Sequence, residues 1–126
     1  MLISNPKMGF DMIIACSLSL CPESGKPFIT CKNGQKNFDL SQIPEVPQEF
    51  RRFIQLRGSA FYEYTRSFGP DETIVDIIKF IDRFPPWDEV ELDGDEVWTS
   101  LDHNKFYAAV EWMADSEVNY IVSWSY

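Results

Sequence analysis

Basic residues almost disappear from the last third of this chain. Residues 85–126 hold one, Lys105, against ten acids, whereas residues 1–84 hold ten of each, so the net charge of −9 belongs to the C-terminal third. An excess of that size on one side of a small domain argues against direct contact with nucleic acid, because phosphates are repelled. Histidine is as scarce, with His103 alone. The three cysteines, Cys16, Cys21 and Cys31, are an odd set without a disulfide framework. They read as buried free thiols in a reducing compartment. As a Cys3His zinc site they lack two tight Cys pairs, and Cys16 and Cys21 have opposite parity on one predicted strand.

Long apolar runs are missing too. Nothing approaches the ~20 residues of a membrane span. The apolar segment before Cys16 is about four residues, short of the ~7–15 of an export leader. Gly25-Lys26 lacks the upstream glycine and following Ser/Thr of a phosphate loop. No catalytic, cofactor or metal motif is expected, and the location read from these absences is cytoplasmic.

What is present is an ordinary balance for a globular protein, 44% apolar and 25% charged over 126 residues, with 15% aromatics. That length fits one domain, with residues 1–9 loose around Asn5-Pro6 and Gly9. Apolar residues at 10, 12, 14, 16, 18 and 20 alternate with mostly small or polar ones, predicting one half-buried strand. Runs at 28–32 and 35–40 flank Asn33-Gly34 and predict a type I′ hairpin. Phe50, Phe53, Ile54 and Arg57 space as a helix over 48–57, ended by Gly58. Residues 60–68 read as a strand. Gly69-Pro70-Asp71-Glu72 predicts a helix start, and Ile74, Ile77, Ile78, Ile81 and Phe84 form its stripe up to Pro85-Pro86. Residues 102–115 form a third helix capped by Asp102 or Ser100, burying Phe106, Ala109, Val110 and Met113 with Trp112 on the far side. Alternation from Val118 to Tyr126 gives a last strand. The expected fold is a single α+β domain over residues 1–126. In it an antiparallel sheet, made of the N-terminal three-stranded meander plus the C-terminal strand, is packed by about three helices.

The stretch that stands out is residues 85–101. Six carboxylates, Asp88, Glu89, Glu91, Asp93, Asp95 and Glu96, fall within nine residues between Trp87 and Trp98. A hairpin turning at Asp93-Gly94 sets Glu91 opposite Glu96, and like charges so placed cost up to about 1 kcal/mol. A cost of that kind fits a surface kept for something positive. Calcium fits poorly, since aligning Glu89 to Asp95 on an EF-hand loop puts Ser100 where a bidentate Glu is needed. Tryptophan among carboxylates suits a partner rich in Arg and Lys. The binding residues read from the sequence are Trp87, Asp88, Glu89, Glu91, Asp93, Asp95, Glu96 and Trp112. Trp98 or Trp87 fills core more readily than Trp112. Arg51, Arg52, Arg57 and Arg66 are expected to pair within the chain or to form a solvated helix face rather than to hold an anion or RNA.

The function expected is an acidic binding or inhibitor protein that occludes a basic partner, a toxin or a nucleic-acid-binding protein. It acts without membrane or cofactor. Alternatives are a structural or adaptor subunit of an assembly and, more remotely, a carboxylate-dependent hydrolase.

Overall fold

The computed structural model describes residues 11–57, 62–69, 72–90 and 98–125. The fold is α+β, built on two antiparallel sheets. Strand β1 (Asp11–Cys16) buries Met12 and Ile14 and turns Ile13 outward, as alternation predicts. It pairs with the last strand, β7 (Tyr120–Ser125), and with β5 (Gln55–Arg57); β6 (Ile74–Asp76) completes the order β5-β1-β7-β6. One face of this sheet carries Met12 opposite Trp124, and Ile14, Val122 and Val75 in a single row. All of these are buried.

The helical layer lies on that face. Helix α3 (Ser100–Asp115) inserts Phe106, Ala109, Val110 and Met113 into the core, as its spacing predicts. Its cap is Thr99, not Ser100 or Asp102. The Thr99 hydroxyl accepts from the Asp102 N–H while the Asp102 carboxylate accepts from the Thr99 N–H, a capping box. Phe53, Phe80 and Phe84 pack round Phe106 at ring separations of 5.5–6.2 Å. Much of the aromatic surplus is therefore core.

Several expected elements differ, and at Ser17, Ile54 and Ile74–Asp76 a competing strand partner lies behind the difference. The single strand over 10–20 breaks at Ser17. The Ser17 N–H still extends the β1–β7 ladder by donating to Asn119 C=O at 2.8 Å, but its carbonyl accepts from Thr30 at 3.0 Å. From there β2 (Leu18–Leu20), β3 (Pro27–Thr30) and β4 (Lys36–Asn37) form a second, three-stranded sheet. Leu18 and Leu20 are left exposed rather than buried. Among the described residues only glycines have positive φ, so the hairpin at Gly34 (φ 88°) is not type I′, which needs positive φ at Asn33 as well. Residues 48–57 are not one α-helix. A 3-10 helix, Gln48–Phe53, gives way to β5, because Ile54 C=O accepts the Ile14 N–H of β1 at 2.8 Å. Where a strand was expected at 60–68, α1 (Tyr62–Arg66) is helical. The helix expected from residue 70 starts only at α2 (Ile77–Asp82), with Asp76 as N-cap. β-Branched Ile74 and Val75 serve instead as a strand on the β7 edge, and Thr73 C=O accepts from Trp124 N–H at 2.9 Å. Ile74 and Ile78, expected on the buried stripe, are exposed. The Gly58 terminator, the Pro70-Asp71 start and the hairpin segment 91–97 lie outside the described residues.

The second sheet is tied to the end of α3. Cys31 bridges to Val118. The Lys32 ammonium donates to the carbonyls of Met113 (2.8 Å), Ser116 (2.7 Å) and Val118 (2.7 Å). A helix leaves its last carbonyls without intrahelical donors, and here one lysine reaches Met113 in the last turn together with Ser116 at the cap and Val118 beyond it. Burial draws the Lys32 pKa down, opposed by Asp76 and Asp115.

Candidate functional site

The surface picked out by sequence is built on the segment that follows α2. Arg83 closes the helix, its N–H reaching the carbonyls of Ile81 and Phe80. Pro85 and Pro86 then carry the chain across the first half of α3. Pro85 is buried and has no N–H, so its carbonyl is the backbone group that needs a partner. It accepts from Nε2 of His103 at 2.8 Å, which places the proton on that nitrogen. His103 is 5% exposed, and burial pushes its pKa down while the Pro85 bond pulls it up. Its ring lies against Phe84 (5.0 Å) and Trp87 (5.7 Å). The only histidine is thus a pin that fixes the Pro-Pro segment to the helix.

The pin sets the next turn in place. Trp87–Glu89 is a single 3-10 turn, with Glu89 N–H on Pro86 C=O (3.0 Å) and Val90 N–H on Trp87 C=O (3.2 Å). Trp87 sits over His103 and remains 37% exposed. Asp88 and Glu89 are exposed beside it, and among the described residues neither carboxylate forms an ion pair. Tyr107, one turn beyond His103 on α3, extends the aromatic surface against Phe84 at 5.1 Å. On the other side of the segment a cleft of about 500 Å³ opens between Tyr64, Asp82, Arg83, Phe84, Pro86 and Glu89. Its floor is held by the Tyr64 hydroxyl, which donates to Phe80 C=O at 2.7 Å. Burial raises the Tyr64 pKa above the usual phenol range, so this hydroxyl keeps its proton.

The structure therefore brings Trp87, Asp88 and Glu89 together on one turn. Glu91, Asp93, Asp95 and Glu96 lie outside the described residues, between Val90 and Trp98. Trp112 belongs elsewhere. Nine positions beyond His103, it stands about 14 Å along the helix and half a revolution round it. There it is half-buried between Phe50 (6.5 Å) and Tyr120 (6.3 Å). Trp112 lies on the flank of α3 that meets the Gln48–Phe53 helix, while the far side proper, at Asn104, Glu111 and Asp115, is exposed. Trp98 packs on Phe53 and Phe106, as expected of a core filler, whereas Trp87 is more exposed than anticipated.

Arg83 lines the same cleft as Glu89, while Arg51 and Arg52 are engaged with other acids. Arg51 pairs with Glu45 at 2.7 Å, and Arg52 pairs with Asp102 of the capping box while lying over the Phe53 ring at 4.4 Å. The Asp102 carboxyl is held down to about 2, first by Arg52 and then by the Thr99 donors. Among the described residues no group of three or more His, Cys, Asp or Glu is placed to hold a metal ion, and no helix is long and apolar enough to cross a membrane. The residues missed by sequence reading are His103 and Tyr107. Their i, i+4 spacing marks a helix face, but the Pro-Pro segment that covers it carries no periodic signal.

No family model, no curated protein and no solved structure matches this chain.

Proposed function

We propose that this protein binds and occludes a basic protein partner, one whose own working surface is made for nucleic acid. The observation that supports this is the Trp87–Glu89 turn. An exposed indole is set on a buried histidine pin, and beside it stand two carboxylates that form no ion pair among the described residues, at the start of the segment that holds most of the −9 charge. Carboxylates speed encounter by long-range attraction, and a rigidly seated tryptophan supplies slow dissociation. Neither step asks for enzyme chemistry. An immunity protein for a nuclease-type toxin works by these terms, and so does an inhibitor that imitates nucleic-acid charge.

The test is capture from the source lysate on the immobilised full chain, with bound proteins identified by mass spectrometry. Strongly basic proteins are expected, released by salt and lost with Asp88→Lys/Glu89→Lys. Trp87→Ala is expected to raise the dissociation rate by about tenfold or more. Capture that is indifferent to both charge reversals, or that selects no basic protein, overturns the proposal.

A further inference from the structure

The cleft on the far side of the Pro-Pro segment holds three charges that the fold leaves without ion pairs. Asp82 and Arg83 stand at the end of α2, Glu89 stands beyond the two prolines, and all three line the same space of about 500 Å³. Among the described residues none of them forms an ion pair. Lys79, which shares the Phe68 ring with Arg83, is by contrast held by Glu72 at 2.7 Å. Arg83 and Glu89 would neutralise each other if the chain between them closed up. It resists closure, because Pro85 and Pro86 fix their own φ and the His103 bond to Pro85 C=O seats the segment on α3. The Arg83 guanidinium lies instead over Phe68 at 5.1 Å. Burial dominates the Tyr64 pKa, followed by Arg83, which lowers it, and Asp82, which raises it, so both charges stand at the Tyr64 end of the cleft.

The lining selects the chemistry of a ligand. A plain anion meets two carboxylates, a plain cation meets the guanidinium, and an apolar molecule takes water from all three charges without replacing it. What gains at every point is a molecule with one anionic and two cationic groups. Its apolar stem would lie along Phe84 and Pro86, as the stems of long charged side chains do on apolar surface. The order of the groups follows from the chain. Asp82 and Arg83 are consecutive, so an ammonium and a carboxylate belong close together on the ligand, and the second cation belongs at the far end with Glu89. We propose that this cleft binds a free basic α-amino acid, with its carboxylate on Arg83, its α-ammonium on Asp82 and its side-chain cation on Glu89. The volume lies within the range of about 300–1,000 Å³ usual for small-molecule sites. The three charged side chains are exposed, and so wet a site predicts weak binding, half-saturated near about 1 mM. This ligand needs no protein partner and meets the occluding surface only at Glu89.

Nuclear magnetic resonance titration of the isotope-labelled full chain with L-arginine tests this, up to about 20 mM and against sodium chloride of the same ionic strength. Amide shifts at Ser67, Asp82, Arg83 and Glu89 are expected to saturate with arginine and not with the salt. Three analogues each remove one charge: agmatine lacks the carboxylate, Nα-acetyl-arginine the α-ammonium, and citrulline the side-chain cation. Each is expected to bind at least about fivefold more weakly than arginine. Arg83→Gln should weaken arginine about fivefold and leave agmatine unchanged, and Arg83→Lys should restore most of the preference. Glu89→Gln should bring arginine down to the level of citrulline. Both positions are exposed, so the melting temperature of these variants is expected to stay within about 2 °C of wild type. Shifts that sodium chloride reproduces, or arginine and its three analogues bound alike, overturn the proposal. So does an arginine affinity indifferent to Arg83→Gln. That variant keeps Trp87, Asp88 and Glu89 and adds no positive charge, so capture of a basic protein should persist in it, and the two proposals fail separately.

Discussion

Replacing Lys32 with methionine keeps the aliphatic stem and deletes the ammonium. The structure says what goes with it: three donors, to Met113, Ser116 and Val118 carbonyls at 2.7–2.8 Å, and a positive charge at the C-terminal end of α3. A hydrogen bond from a charged donor contributes about 1.5–3 kcal/mol when fully buried. Lys32 is only half-buried, and water can reach part of what it vacates, so the three together are worth about 2 kcal/mol. The charge at the helix terminus adds about 1 kcal/mol. The expected loss is therefore about 3 kcal/mol, a large share of a domain stability of about 5–15 kcal/mol, and corresponds to a fall in Tm of about 10 °C. Urea unfolding followed by tryptophan fluorescence and far-ultraviolet dichroism measures it, as a lower midpoint at unchanged slope. Lys36→Met is the control. Lys36 is exposed and lies over the Phe28 ring at 4.9 Å, and its removal should cost no more than about 0.5 kcal/mol. A Lys32→Met protein within about 1 kcal/mol of wild type refutes the view that this side chain joins the second sheet to α3.

Asp102 and His103 carry the pH dependence. The Asp102 carboxyl is held down to about 2 from 3.8, so its contribution is complete above about pH 4 and is lost as pH falls toward 2. Asp102→Asn should remove about 1–2 kcal/mol at neutral pH and flatten the acid limb of the stability profile, read by urea titration at successive pH values. For His103 the folded pKa lies below 6.5, so in mildly acid solution the unfolded chain binds a proton that the folded chain refuses. Stability should accordingly be full above that value and decline as pH falls beneath it. His103→Ala should abolish that slope, leave Pro85 C=O without its donor at a cost of about 1–3 kcal/mol, and change Trp87 fluorescence. An unchanged slope removes His103 as the pin.

Legibility in the sequence followed the number of surfaces each element touches. β7 and the core face of α3 are read correctly, because each has one dominant buried side and the period shows it. The segment 74–82 misleads because Ile74, Ile77, Ile78 and Ile81 satisfy a helical template, while the free edge of β7 takes Ile74–Asp76 into the sheet. Leu18 and Leu20 continue the alternation of β1 faithfully and are nonetheless exposed, since the chain has changed sheets beneath them. Of the candidate surface, the Trp87–Glu89 cluster is evident from composition. The pin that orients it is not, because it depends on a buried proline carbonyl meeting a histidine 18 residues away.

Ser17 has a consequence for how this chain tolerates changes of length. One residue spends its donor on one sheet and its acceptor on the other. A single insertion or deletion between residues 12 and 19 inverts the inside and outside of whichever strand it shifts, and leaves the other sheet without its neighbour. The turn at 22–26 and the Lys32–Gly34 loop differ sharply from each other in this respect. The first is exposed and joins strands of one sheet, so it can accept extra residues or a grafted tag. The second holds the lysine that caps α3 and cannot be lengthened without moving it.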